Sequence, residues 1–162
     1  MRAEQTLETD QLPAEVASLL VPLADKLLLL PHASVAEIVP VGQILSVDQA
    51  PDWLLGEFIW REQKLPLLCL EILNGGERPA LGSRSRIAVL NATGISEELG
   101  FIALLTQGLP RLARVTPEEL GLSEQTQDAP FDKLGVIWAG EPAVIPDIGK
   151  LEQAYLDFKS TV

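Results

Sequence analysis

The chain has 162 residues, of which 47% are hydrophobic and only 5% aromatic, with a formal net charge of −11. That length suits one domain or two small intertwined lobes, with a sizeable core built mainly from Leu, Ile and Val. The acidic balance argues against nucleic acid, whose phosphates need a basic surface, and against an anionic membrane surface.

Residues 1–13 are expected to form a flexible tail; MRAEQTLETDQ is polar and acidic and lacks the basic start and apolar stretch of a signal peptide. The apolar run from Val16 to Ala24 is closed by Asp25-Lys26. It falls well short of the ~20 residues of a membrane helix, so a cytoplasmic protein with no direct membrane insertion is expected. Cys69 is the single cysteine, which excludes an internal disulfide and fits a reducing compartment.

Residues 14–30 contain good helix formers, but Pro22 would remove a helical hydrogen bond at the centre. A strand over about 17–24, a turn at Ala24-Asp25-Lys26 and a second strand from Leu27 are predicted instead. Pro31 bends that strand or confines it to an edge, and SVAEIVPV (34–41) continues it. Leu54–Trp60 and Leu65–Ile72 are two more strands joined by Arg61-Glu62-Gln63-Lys64, and the stretch from Asn74 to Pro79 is a loop.

Arg86–Asn91, Glu98–Leu105 and Pro110–Val115 follow as strands, separated by turns at Ala92-Thr93-Gly94 and Gln107-Gly108. Thr116-Pro117-Glu118-Glu119 carries two helix-start signals, with room for about one turn before Gly121. Residues 123–130 are a polar loop, and Lys133–Ala139 with Ala143–Pro146 form a hairpin around Gly140-Glu141-Pro142. Asp147 caps a closing helix in which Ile148, Leu151, Tyr155 and Phe158 make one apolar stripe.

Roughly ten short strands with turn signals every 8–12 residues indicate an all-β barrel or sandwich with a short C-terminal helix. Strands such as FIALL and LPLLCL are apolar on both faces, whereas an antiparallel strand usually keeps one face wet. A second layer or a partner is therefore expected to cover the other side.

Candidate chemistry is sparse. His32, the only histidine, follows Pro31 and reads as a partly buried or edge residue. Cys69 lies between Leu68 and Leu70 and reads as a small packed hydrophobe. Glu97-Glu98 and Glu118-Glu119 sit in turn or cap positions and read as solvated charges. No Gly-rich nucleotide loop or nucleophile elbow is present, and no catalytic residue, cofactor or metal site is assigned. An interaction module fits better than an enzyme; a small hydrolytic enzyme using two carboxylates in a barrel cleft is the less favoured alternative.

PDWLLGEFIWREQKLPLLCLEIL (51–73) resembles the central signature of CheW-like domains, with Pro51, Gly56, Arg61, Pro66 and Leu70 at matching spacing. Val35-Ala36-Glu37-Ile38-Val39 resembles the family's upstream element. RIAVLN, LGFIALLTQGLPRLARVTPEEL and LGVIWAGEPAVIPDIGKL resemble its later strands, last hairpin and closing helix. The resemblance runs from about residue 16 almost to the end, and the chain is also similar to the ChpC-type proteins of the chemosensory system that governs type IV pili and twitching motility. Three positions depart from the pattern: Glu62 for the usual Gly, Cys69 for the usual Asp, and Gln107 for the usual Asp.

The resemblance implies two small five-stranded SH3-like barrels packed through a shared apolar core, with residues 14–162 as one such domain. It also implies a signalling adaptor without cofactor, bridging the cytoplasmic tip of chemoreceptors and the regulatory domain of a CheA-like histidine kinase. A divergent regulator that binds the kinase but no receptor is the alternative within the family. The partner surface so implied comprises Val35, Glu37, Ile38, Gly56, Trp60, Arg61 and Glu62. Arg61 suits it because a planar guanidinium holds a carboxylate or carbonyls at a fixed angle; an internal anchor tying the turn to another backbone segment is an equally weighted reading of the same residue. Trp53 and Trp60 are expected to close the barrel core; Trp60 also stands where the family often has Leu, and aromatics beside Arg are frequent in interface hot spots.

Overall fold

Leucine-rich ribbons that alternate in which side they bury make up most of the chain. The computed structural model describes residues 15–123 and 129–162; the expected tail over 1–13 lies outside the described residues. The strands are β1 (Val16–Pro22), β2 (Leu27–Pro31), β3 (Val35–Pro40), β4 (Ile44–Leu45), β5 (Leu54–Trp60), β6 (Gln63–Leu68) and β7 (Arg86–Asn91). They continue with β8 (Phe101–Thr106), β9 (Arg111–Val115), β10 (Leu120–Leu122), β11 (Asp132–Trp138) and β12 (Glu141–Pro146). A short helix α1 (Leu70–Leu73) follows β6, and α2 (Ile148–Thr161) closes the chain.

The strands form two six-stranded sheets, ordered β10-β11-β12-β2-β1-β9 and β3-β7-β8-β6-β5-β4. The all-β architecture with a terminal helix is as expected. Each sheet has one strand more than the predicted five, and the short β4 and β10 have too few residues to show periodicity. Most pairings are antiparallel; β12 with β2 and β6 with β8 are parallel.

Both sheets curl. In the second sheet β3 and β5 are separated by β7, β8 and β6, yet Glu37 of β3 accepts a hydrogen bond from Trp60 of β5. In the first, Arg111 of β9 reaches Glu141 of β12 at 2.9 Å across β1 and β2.

The two-sided apolarity of the strands is resolved by period two. On β7, Ile87 and Val89 fill the inside of the second sheet, while Ala88 and Leu90 face a core shared by both sheets. On β8, Ala103 and Leu105 point inside and Ile102 and Leu104 to the shared core. The first sheet mirrors this: Leu20 and Leu29 face its own interior, and Val21, Leu28 and Leu30 the shared core. Leu151 and Tyr155 of α2 complete that core, and Ile148 and Phe158 pack against it. Asp147 caps α2 by accepting from the Lys150 backbone N–H at 3.1 Å.

Three local expectations change. The strand predicted to reach Ile72 stops at Leu68, and Leu70–Leu73 turn into α1, because an unbroken apolar run carries no period to separate strand from helix. The segment 34–41 does not continue β2: a 3-10 turn at His32–Ser34 intervenes, and β3 joins the other sheet. The helix signals at Thr116–Glu119 are used in a turn, where Glu119 N–H donates to Thr116 O and the Thr116 hydroxyl to Glu119 Oε1, before β10 begins.

A polar seam reinforces the shared core. Glu71 of α1 accepts from the Ala24 N–H at 3.0 Å, and Asn74 accepts from the Phe131 N–H at 2.8 Å and donates to Asp132 at 3.0 Å. These bonds tie the segment after β6, in one sheet, to the β1–β2 turn and to the start of β11, in the other.

Candidate functional site

β3 carries a bulge. Val35 lies opposite Leu90 and Glu37 opposite Val89, so Ala36 is the inserted residue. The insertion lets Val35 and Ile38 both pack against the shared core, while Val39 packs with the interior of the second sheet. Glu37, two residues before Val39, is thereby on the side of Trp60.

The β5–β6 hairpin turns on Arg61 and Glu62 alone, with φ of 47° and 66°. Positive φ at both central residues gives a turn whose twist matches the flanking strands. The turn is thus tighter than the expected Arg61–Lys64 stretch: Gln63 pairs with Trp60 and Lys64 with Ile59 inside the ladder.

These elements bring Glu37, Trp60 and Arg61 together. The Trp60 indole Nε1–H donates to Glu37 Oε1 at 2.8 Å, and Arg61 Nη2 donates to the same oxygen at 3.3 Å. The guanidinium carbon lies 4.6 Å from the centroid of the Trp60 ring. Trp60 itself is 6% exposed and packs edge-to-face on Phe101, with centroids 4.8 Å apart. The ion pair is exposed, at 67% for the Arg61 side chain and 40% for Glu37. Such a pair contributes ~0–1 kcal/mol and the cation–π contact ~0.5–1 kcal/mol. The arrangement therefore positions Arg61 more than it stabilises the fold.

The remaining expected site residues fall elsewhere. Glu62 is exposed at the turn, but the ion-pair partner of Arg61 is Glu37, not its neighbour. Gly56 is buried in β5 at φ 146°, where an added Cβ would meet Leu45 O and lie 2.6 Å from Ile44 Cγ2. Its role is to let β4 close on β5. Val35 and Ile38 are half-buried against the shared core. Phe101, which supports Trp60, is not among the residues the sequence points to; it opens an apolar strand far along the chain, and no local signal marks it.

The other chemistry-bearing groups serve the fold. His32 is exposed. Cys69 is fully buried; burial, with Glu71 nearby, pushes its thiol up to about 11. The buried carboxylates of Glu71 and Glu152 each accept a backbone N–H, from Ala24 and Thr93 respectively. Among the described residues no group of His, Cys, Asp or Glu is arranged to hold a metal ion, and no helix is long and apolar enough to cross a membrane.

The profile of the CheW-like domain matches residues 17–154. No match is found among curated proteins. Among solved structures, the scaffolding protein TtCheW from Thermoanaerobacter tengcongensis superposes with a TM-score of 0.69 at 16% identity, covering 84% of this chain and 86% of that one. The fold and the matched span agree, and the chain belongs to the CheW-like domain family of non-catalytic chemosensory scaffold adaptors.

Proposed function

We propose that this chain couples the cytoplasmic tip of chemoreceptors to the regulatory domain of a CheA-like histidine kinase, in a chemosensory system that controls type IV pili. Residues 14–162 act as one unit of two lobes, recruited from the cytoplasm to receptor arrays. The observation that carries the reading is the Glu37–Trp60–Arg61 cluster, an exposed guanidinium held in one orientation at a hairpin tip with a buried aromatic beneath it. An arginine fixed in this way has lost less conformational freedom on docking than a free one.

The three departures from the family pattern bear on whether receptor binding is kept. Cys69 is buried, and Gln107 is bound to Pro22 O through its backbone and to Ser85 through its side chain. Only Glu62 is on the exposed turn. Two of the three changes therefore leave the cluster untouched, which favours an adaptor over a regulator restricted to the kinase.

The test is a pull-down with a receptor-tip fragment and, separately, with the kinase regulatory domain. Arg61→Ala should weaken receptor capture while the melting temperature stays within a few degrees. Normal capture by that variant removes Arg61 from the receptor surface; capture of kinase alone by the wild type favours the kinase-only regulator. Loss of twitching on deletion of the gene tests the link to type IV pili.

A further inference from the structure

Trp60 does two things to its neighbours that an aliphatic residue at this position does not. Its ring face carries the Arg61 guanidinium, and its indole N–H donates to the same Glu37 oxygen that Arg61 uses. Both internal donors therefore converge on Oε1, and among the described residues Glu37 Oε2 accepts no hydrogen bond. The remaining Arg61 donors have no protein acceptor among those residues either. The surface thus presents free donors beside a free acceptor. Its local charge is not positive: Arg61 and the exposed Lys64 contribute two positive charges, and Glu37 and the exposed Glu62 two negative ones.

Resting on the receptor-coupling reading above, we propose that Trp60 is a specificity-determining residue. It holds Arg61 and Glu37 as one internally neutralised pair, which selects a partner helix presenting an uncharged carboxamide over one presenting a carboxylate. A carboxamide oxygen accepts from Arg61 while its NH2 donates to Glu37, so both unused groups are satisfied at once. A carboxylate satisfies only the guanidinium, and it meets Glu37 and Glu62 as like charges. Trp60 positions the pair without itself reaching the partner, since it is nearly buried.

The experiment uses the full chain and a soluble fragment of a chemoreceptor tip, titrated at about 50 mM and about 500 mM NaCl. Wild-type affinity should change by less than about threefold across that range, because no net positive hook is screened. Trp60→Leu leaves the local charge unchanged but removes the ring face and the indole N–H that fix the pair, so Arg61 is free to leave Glu37 for a partner carboxylate; that exposed pair is screened by salt, and the change should rise to about tenfold or more. Trp60→Phe keeps the ring on Phe101 but lacks the N–H, and should fall between the two; it also stands in if the leucine variant folds poorly. Changing tip Asn or Gln residues singly to Asp or Glu should weaken wild-type binding at one position by more than about tenfold, and Trp60→Leu much less.

A second readout needs no receptor. By NMR, the Arg61 side-chain Nε–H should be rigid in the wild type and mobile in Trp60→Leu, and the Trp60 indole resonance should move in Glu37→Gln. Equal Arg61 mobility in both proteins, or equal salt dependence, overturns the role of Trp60. A rigid Arg61 in a wild type that binds no tip instead overturns the receptor-coupling reading, and partner selection falls with it.

Discussion

Lys26 Nζ lies 2.8 Å from Asp132 Oδ2, with the two side chains only 13% and 11% exposed. The pair joins the β1–β2 turn to the start of β11, and Asn74 Nδ2 donates to the other Asp132 oxygen at 3.0 Å. Removing one member of a buried pair leaves an uncompensated charge, whereas replacing both by apolar groups of similar volume is often neutral. Asp132→Ala should therefore destabilise by about 3 kcal/mol, roughly 10 °C in Tm. Lys26→Met with Asp132→Leu should recover most of that loss in urea unfolding. A double variant as unstable as the single one shows that the seam depends on Asn74 and Asp132 and not on the ion pair.

Gly56 makes a separate and sharper demand. Its φ of 146° disfavours any side chain, and the space a Cβ needs is taken by the Leu45 carbonyl and Ile44 of β4. Gly56→Ala should cost about 2 kcal/mol or more through strain and displacement of β4. Hydrogen exchange should show the β4–β5 amides opening before the rest of the sheet. Unchanged exchange at Ile44 and Leu45 removes the steric argument.

The two-sided apolarity of segments such as FIALL and LPLLCL shows in the sequence that each strand is covered twice. What it does not show is the partition, for instance that Leu68 goes to the shared core and Leu67 to the sheet interior. Register decides that, and register is set by turns and bulges such as the one at Ala36. Arg61 and Glu37 were legible as separate members of a family pattern. Their convergence on Trp60 was not, because the Glu37–Trp60 bond joins residues 23 apart only after the sheet has curled. β4 has two residues and α1 four, too short for either period to emerge.

Glu62 occupies a position with φ 66°, in the left-handed region that glycine adopts readily. Relief of that strain outweighs the added freedom of the unfolded chain, so Glu62→Gly should stabilise by about 0.5–1 kcal/mol. It also removes a negative charge beside Arg61 without touching the Glu37 pair. Thermal unfolding should show a Tm higher by a few degrees. A lower Tm means that the Glu62 side chain makes a stabilising contact that outweighs the backbone strain.

Cys69 should make stability fall at high pH. Its thiol is raised from an ordinary value of 9.0 to about 11, chiefly because burial disfavours the thiolate. A raised folded value means that the unfolded chain loses this proton first. The stabilisation is therefore complete below about pH 9 and is lost as pH climbs through about 11. Relative to Cys69→Ala, the wild type should lose an additional amount on the order of 2–3 kcal/mol across that interval. Urea titrations of both proteins between those limits measure the difference directly, with tyrosine and lysine ionisation common to each. At neutral pH the same thiol should resist a thiol-reactive dye until the chain unfolds, since it is both protonated and fully buried. Parallel stability curves for the two proteins, or rapid labelling of the native state, show that the site around Leu68, Cys69 and Leu70 opens to water.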